Sequence, residues 1–398
     1  MNTIPYGKQN ITDEDISEVV KVLKSDFMTQ GPLIDKFEKK FSEYIGNKYS
    51  VAVSNGTAAL HLSVLALNLK KGDKVITSPL TFVASANCIK FCGADVIFSD
   101  IDPETFLLDF QKVKNLIESS PKGTYKGIIP VDFAGRAVNL EKFKKLAIDN
   151  DLWILEDSCH SPGGFFIDSN NVQQNCGNGN FADLAIFSFH PVKHIACGEG
   201  GMITTNNFQL YSKLKTLRTH GITKNKLDFK NAIQLANGND NEDKPFPNWY
   251  MEMQVLGYNY RLTDMQSALG ASQLNRAKSG VEKRREIAKK YFNFLNNKDY
   301  VIRQSGMIDG HAYHLYVVEF KDRLNLYNFL RQNKVYAQIH YFPCHLMPYY
   351  KQFGYKEGDF PQAESYYKNC ISLPMFPELT QNDLERIFDL IEEFYKNN

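Results

Sequence analysis

The chain has 398 residues, 43% hydrophobic and 23% charged, with a formal net charge of +1. That is enough apolar sequence for a large folded domain plus a smaller one. The balanced charge leaves no basic field for nucleic acid, and no window approaches the ~20 apolar residues of a membrane span.

The opening M-N-T-I-P-Y-G-K-Q-N lacks the apolar core of a signal peptide. Seven cysteines, none in a C-x-x-C pair, predict a reduced cytoplasmic chain with no structural metal site. Thr12 before Asp13-Glu14-Asp15 predicts a capped helix, and Gly31-Pro32 starts a second, which Gly46 stops. Val51–Val53 then reads as a strand, Ser54-Asn55-Gly56 as a turn, and Thr57 as the start of a helix through Leu65. A strand, a glycine turn and a helix N-terminus together make a phosphate site. Turns of this kind before helices are also common without any ligand.

The alternation continues. Lys74–Ile76 predicts a strand, Thr81–Cys92 a helix, Asp95–Phe98 a strand, and Asp109–Ser119 a helix. Gly127–Val131 predicts a strand, Asn139–Asp149 a helix, and Leu152–Leu155 a strand ending at Glu156-Asp157. Strands separated by helices imply a mainly parallel sheet covered on both faces, with ligands beyond the carboxyl ends of the strands. Leu184–Phe187 and Met202–Thr204 are two further strands, and the loop between them carries Ser188, His190, Lys193 and His194. A lysine held there loses hydration, which lowers its pKa and frees a nucleophilic amine.

After a helix to about Leu217, a polar stretch around 231–245 reads as a solvated loop or lid. From Thr263 a helical pattern runs through Ala288 to Phe294. Strand-like Tyr313–Phe320 and Tyr336–Ile339 then alternate with helical Leu324–Gln332 and Asn382–Tyr395. The expected architecture is α/β: a large domain over 1–262, then a smaller α+β domain over 263–398 entered by a long helix.

Taken together, the strand-end residues match the needs of pyridoxal phosphate. Lys193 supplies an amine, Asp157 a partner for a ring nitrogen, and Phe82 a ring face. Thr57 and Ala58 at a helix start, with Ser188, supply a phosphate cradle. Each alone has an ordinary reading: most lysines are solvated, and Asp157 alone reads equally as a helix cap.

The motifs S-N-G-T-A-A-L-H-L, S-P-L-T-F-V-A-S-A-N, I-L-E-D-S-C-H-S, F-S-F-H-P-V-K-H-I-A-C-G-E-G-G-M-I-T-T and G-Y-N-Y-R-L-T-D-M-Q-S-A-L-G resemble those of the DegT/StrS-type sugar-nucleotide aminotransferases. The likeness runs from about Pro5 to the C-terminal helix. It implies a fold-type-I pyridoxal 5'-phosphate enzyme, a homodimer with shared active sites, and transfer of an amino group from L-glutamate to a nucleotide-linked ketosugar. Carried over by motif, Lys193 is the Schiff-base lysine and proton carrier, Asp157 pairs with the pyridine nitrogen, and Phe82 stacks on the ring. Thr57, Ala58 and Ser188 bind the phosphate, and His160 lies near the ring hydroxyl. Asn259 reaches the phosphate of the partner subunit's cofactor. Tyr6, His340 and Tyr341 are candidate substrate residues, with Gln338, His340 and Tyr341 alternating along a strand. The 229–250 region is a candidate cover for the nucleotide.

V-D-F-A-G-R-A-V at 131–138, His160 and A-Q-I-H-Y-F-P at 337–343 resemble the subgroup that aminates a UDP-linked 2-acetamido-2,6-dideoxy-L-arabino-4-ketosugar in pseudaminic acid synthesis. Aminotransferases for another UDP-, dTDP- or GDP-linked 4-ketosugar, and a non-catalytic regulatory protein on the same fold, are the competing readings.

Overall fold

The computed structural model describes residues 2–238 and 245–397. Seven strands form the central sheet. In spatial order they are Tyr49–Val53, Gly201–Thr205, Leu184–Ser188, Trp153–Asp157, Gly127–Ile129, Lys74–Thr77 and Asp95–Phe98. All neighbours are parallel except at Gly201–Thr205, which runs antiparallel to both strands beside it. Val51, Val53, Ile76, Ile128, Leu155, Leu184 and Ile186 are buried in continuous apolar runs. A sheet covered on both faces requires this pattern.

The helices form where the sequence punctuates them. Thr12 accepts from the Asp15 amide, and Asp15 closes a reciprocal capping box. Pro32 opens the next helix and Gly46 ends it at φ 92°, a left-handed conformation that glycine adopts without a Cβ clash. The expected helix at 81–92 is Val83–Phe91, because Phe82 takes an extended conformation as its N-cap. The expected long helix after Thr263 is two, Asp264–Gln273 and Ala277–Leu295, joined through a 3-10 turn at Leu274–Arg276.

A second sheet of three antiparallel strands joins Val301–Gln304, Tyr316–Phe320 and Cys370–Leu373. It packs under the Ala277–Leu295 and Gln381–Asn397 helices in its own apolar cluster, with Tyr291, Tyr316, Phe320, Ile387 and Ile391 buried. Leu315 and Val317 instead join the apolar cluster on one face of the large sheet, so this strand ties the two sheets together.

The strand expected over Tyr336–Ile339 is only Val335–Tyr336, paired with Ile4–Pro5. The partner is two residues long, and Pro5 has no N–H with which to extend the ladder. Gln338 reaches a single bridge with Ser372, and the chain then turns over the large sheet. The polar stretch near 231–245 contains a short helix, Ile233–Asn237. Residues 239–244 of the expected nucleotide cover lie outside those described.

Candidate active site

One cavity of about 670 Å³ opens at the carboxyl ends of the parallel strands, where open α/β sheets bind ligands. Thr57, Ala58, Phe82, Asp157, His160, Ser188 and Lys193 all line it, as do Tyr6, His340 and Tyr341 from its far wall.

The cradle at its base follows from strand Tyr49–Val53 running into helix Gly56–Ala66. Asn55 caps that helix, its side-chain oxygen accepting from the Ala58 amide at 2.8 Å. The Gly56 and Thr57 amides open the same helix, where backbone N–H groups lack intrahelical acceptors. A side chain on Gly56 would put its Cβ 3.0 Å from Ser188 Cβ. Glycine therefore leaves room for an anion between the helix start and the Ser188 hydroxyl.

Asp157 ends its strand 5% exposed. Its carboxylate accepts from Ser85 Oγ at 2.6 Å and from the Cys159 amide at 3.1 Å. These bonds fix the carboxylate and leave it an acceptor for a cationic ring nitrogen. Phe82, 57% exposed despite its size, presents its ring over the cavity 6.0 Å from the ring of Tyr341. An exposed aromatic face beside a buried carboxylate suits a flat charged ring.

Lys193 enters from the loop after strand Leu184–Ser188. Burial pushes its pKa below the ordinary lysine value, and the nearby Cys159 and Asp157 oppose that shift. Four histidines surround the amine. His160, His194 and His314 are pushed well below the ordinary histidine pKa, first by burial and then by neighbouring positive charge. His340 falls to about 3 by burial and the charge of Lys193. The surroundings of the amine thus favour the neutral form of all four rings.

His160 has a defined tautomer. Its Nδ1 accepts from the Ala134 amide at 3.2 Å, so in the neutral ring Nε2 carries the proton. That proton points at the Tyr341 hydroxyl, 3.3 Å away. Tyr341 then accepts from His160 and keeps its own O–H to donate. The V-D-F-A-G-R motif builds this arrangement. Gly135 has φ +99°, and a Cβ there would lie 2.8 Å from His160 O and 2.9 Å from His314 N. Only glycine lets this turn lie against both histidine segments. Behind it, Ser158 and Ser161 donate to Asp132, and burial raises the pKa of Asp132 and of its neighbour Glu156.

His340 and Tyr341 do not alternate on a strand. His340 Nδ1 bonds Ser372 Oγ at 2.9 Å, Tyr366 donates to His340 O at 2.7 Å, and the Tyr6 ring lies 5.4 Å from the imidazole. With Nδ1 engaged, His340 Nε2 is left to face the cavity. Asn259 is exposed and lies outside the cavity, whereas Tyr260 lines it. The 258–260 segment is extended against Leu217–Thr219, so alternate side chains point to opposite sides. Sequence reasoning missed Ser85 and His314. Ser85 stands within the S-P-L-T-F-V-A-S-A-N motif but on its helix, past the strand end, and His314 lies beside the smaller sheet.

Residues 9–392 match the DegT/DnrJ/EryC1/StrS aminotransferase family. The spore coat polysaccharide biosynthesis protein SpsC of Bacillus subtilis is 34% identical over 402 residues, covering 99% of this chain and 97% of that protein. The UDP-4-amino-4,6-dideoxy-N-acetyl-beta-L-altrosamine transaminase of Campylobacter jejuni is 33% identical, covering 99% of each. Among solved structures, Helicobacter pylori PseC, an aminotransferase involved in pseudaminic acid biosynthesis, superposes over 100% of both chains with TM-score 0.86 at 28% identity. The helix-start cradle, the buried carboxylate and the desolvated lysine fit pyridoxal phosphate, the cofactor of this family. The chain belongs to the DegT/DnrJ/EryC1/StrS family and is a pyridoxal-phosphate-dependent sugar aminotransferase.

Proposed function

We propose that the enzyme transfers the amino group of L-glutamate to C4 of a UDP-linked 4-ketosugar, UDP-2-acetamido-2,6-dideoxy-β-L-arabino-hexos-4-ulose. The observation that carries this reading is the juxtaposition of Lys193 with the polar wall of Tyr6, His340 and Tyr341 across one cavity. The choice of sugar is supported by the likeness to the Campylobacter transaminase and to PseC.

When bound, the cofactor supplies an electron sink for the carbon that loses its proton. In this reading Thr57, Ala58 and Ser188 hold the phosphate, Asp157 binds the ring nitrogen, and Phe82 covers the ring. Lys193 carries the proton between carbon atoms, which a lysine does well when burial has brought its pKa toward neutrality. Tyr341 donates its O–H into the cavity beside Phe82, backed by His160. Tyr6 and His340 line the wall that a sugar ring meets. Holding the keto carbon beside the amine supplies much of the rate, so ring configuration matters strongly.

The test is a panel of nucleotide 4-ketosugars with glutamate, read by product mass and NMR. The L-arabino UDP sugar should be aminated with clear preference. Preference for its D-xylo isomer, or for a GDP-linked ketosugar, overturns the sugar assignment. The similarity to SpsC makes a different polysaccharide sugar the alternative that this panel addresses.

The reading includes a homodimer with shared sites and a division into a cofactor-binding part, 1–262, and a smaller part, 263–398. The separate apolar cluster around the three-stranded sheet supports the division. The outward side chain of Asn259, next to cavity-lining Tyr260, supports a reach toward a second subunit. Asn259→Ala should then weaken cofactor retention by roughly ten- to hundredfold, the loss of a hydrogen bond to a charged phosphate. Fully active monomers by sedimentation would contradict the shared site. Among the described residues no helix is long and apolar enough to cross a membrane; the cytoplasmic location is part of the proposed reading.

A further inference from the structure

His314 is buried at 4% exposure, and its Nε2 lies 3.4 Å from Lys193 Nζ. Its Nδ1 is buried with no hydrogen-bond partner among the described residues. A buried imidazole with one nitrogen unsatisfied is costly. The fold also holds it with some effort. Tyr313, just before it, sits at φ +48°, a left-handed conformation uncommon for an aromatic residue. Arg284, fully buried on the Ala277–Leu295 helix, donates from Nη1 to the backbone oxygens of Tyr313, His314 and Met375 at 3.2, 3.3 and 2.8 Å. The Ala134–Gly135 turn adds further ties, with Ala312 N bonding Gly135 O and Leu315 N bonding Ala134 O. Strain, a buried guanidinium and a glycine turn all converge on one imidazole beside the amine.

Resting on the reading of Lys193 as the catalytic amine, we propose that His314 is its positioning residue. Nε2 accepts a hydrogen bond from the free Lys193 ammonium and holds the amine at its station whenever it is not bonded to cofactor. Transamination requires this. In half of the cycle the lysine is released, and a flexible four-carbon chain must then stay within reach of the carbon it deprotonates. The neutral ring suits an acceptor. Burial and the charges of Lys193 and Arg284, with His160 and His194 close by, keep His314 from protonating itself. Asp157 and Cys159 face Lys193 from the sheet side, and His340 from the opposite wall. His314 is therefore the acceptor from the small-sheet side.

The discriminating pair is His314→Gln and His314→Met, similar in shape and different in having an acceptor near the Nε2 position. The first readout uses the cofactor-free full chain: the pH dependence of Lys193 acetylation, followed by peptide mass spectrometry. Removing an acceptor from the ammonium destabilises the charged form, so the labelling midpoint of His314→Met should fall by about one pH unit. His314→Gln should recover the wild-type midpoint. The second readout is the single-turnover reaction of the amine-loaded enzyme with ketosugar. It should slow about tenfold or more in His314→Met, with ketosugar affinity retained, and recover most of its rate in His314→Gln. Identical behaviour of the two variants in labelling, whether both wild-type-like or both shifted, overturns the proposal. The labelling reports the contact even if Lys193 were not the catalytic base, a failure that Lys193→Ala would reveal separately.

Discussion

Lys193→Ala is expected to abolish turnover, by at least about a thousandfold, since in the proposed mechanism one side chain supplies both the covalent attachment and the proton transfer. The groups buried beside it are poor substitutes. Burial and the charge of Lys193 lower the basicity of His160, His314 and His340 alike. Tyr341 is displaced in the opposite direction, its pKa raised by burial, and it keeps its proton. Cys159 is likewise raised well above the ordinary thiol value by burial. The variant should still fold, because among the described residues the one hydrogen bond of Lys193 Nζ is to His314 Nε2, at 3.4 Å, and none goes to a backbone group. Rates from coupled 2-oxoglutarate assays, together with an unchanged thermal midpoint, check this. A variant that transaminates at near the wild-type rate would remove Lys193 from the mechanism.

Asp157→Asn is the second large effect, and its sign differs between activity and stability. The carboxylate is 5% exposed and accepts from Ser85 and the Cys159 amide. Among the described residues no cationic side chain hydrogen-bonds to it; its two donors are neutral, and Lys193 is the nearby positive group. Asparagine keeps the size and the bond from the Cys159 amide, and the Ser85 hydroxyl can rotate to accept from the new amide. The cofactor-free protein should therefore lose little stability, since relief of the carboxylate's desolvation offsets the weakened bonds and the lost attraction to Lys193. Activity should fall by roughly ten- to hundredfold, the value of one hydrogen bond to a charged group at 1.36 kcal/mol per decade. Cofactor should still bind through the Thr57–Ser188 cradle. Retained activity with an unaltered visible spectrum would mean that the carboxylate points away from the ring nitrogen.

The large sheet was legible because its strands are fully buried and read as unbroken apolar runs between clear stops. Asp95–Phe98 has the expected bounds, and most other elements differ by one or two residues. The strand-end rule then brought Thr57, Phe82, Asp157, Ser188 and Lys193 together without any tertiary information. The failures share a physical cause, which is dependence on long-range partners. Val335–Tyr336 stops after two residues because its partner, Ile4–Pro5, is more than three hundred residues away and ends in proline. His340 and Tyr341 still reach the cavity, held there by Ser372, Tyr366 and His160 and not by strand alternation. Ser85 is one of several small residues on an apolar helix, and only the position of Asp157 gives it a role. His314 carried no local signal. Its place depends on Arg284 and on the Ala134–Gly135 turn, neither of which neighbours it in sequence. The V-D-F-A-G-R motif was read as a subgroup mark, and its glycine proves to be the contact between the two histidine segments.

The central claim is that this cavity holds pyridoxal phosphate on Lys193. Reduction of the holoenzyme with borohydride makes the lysine–cofactor bond permanent, and peptide mass spectrometry then locates it. The account predicts the phosphopyridoxyl mass on the peptide carrying F-S-F-H-P-V-K-H, at Lys193, and its loss when glutamate is added before the borohydride. Label on any other lysine, or label that glutamate does not remove, would contradict it.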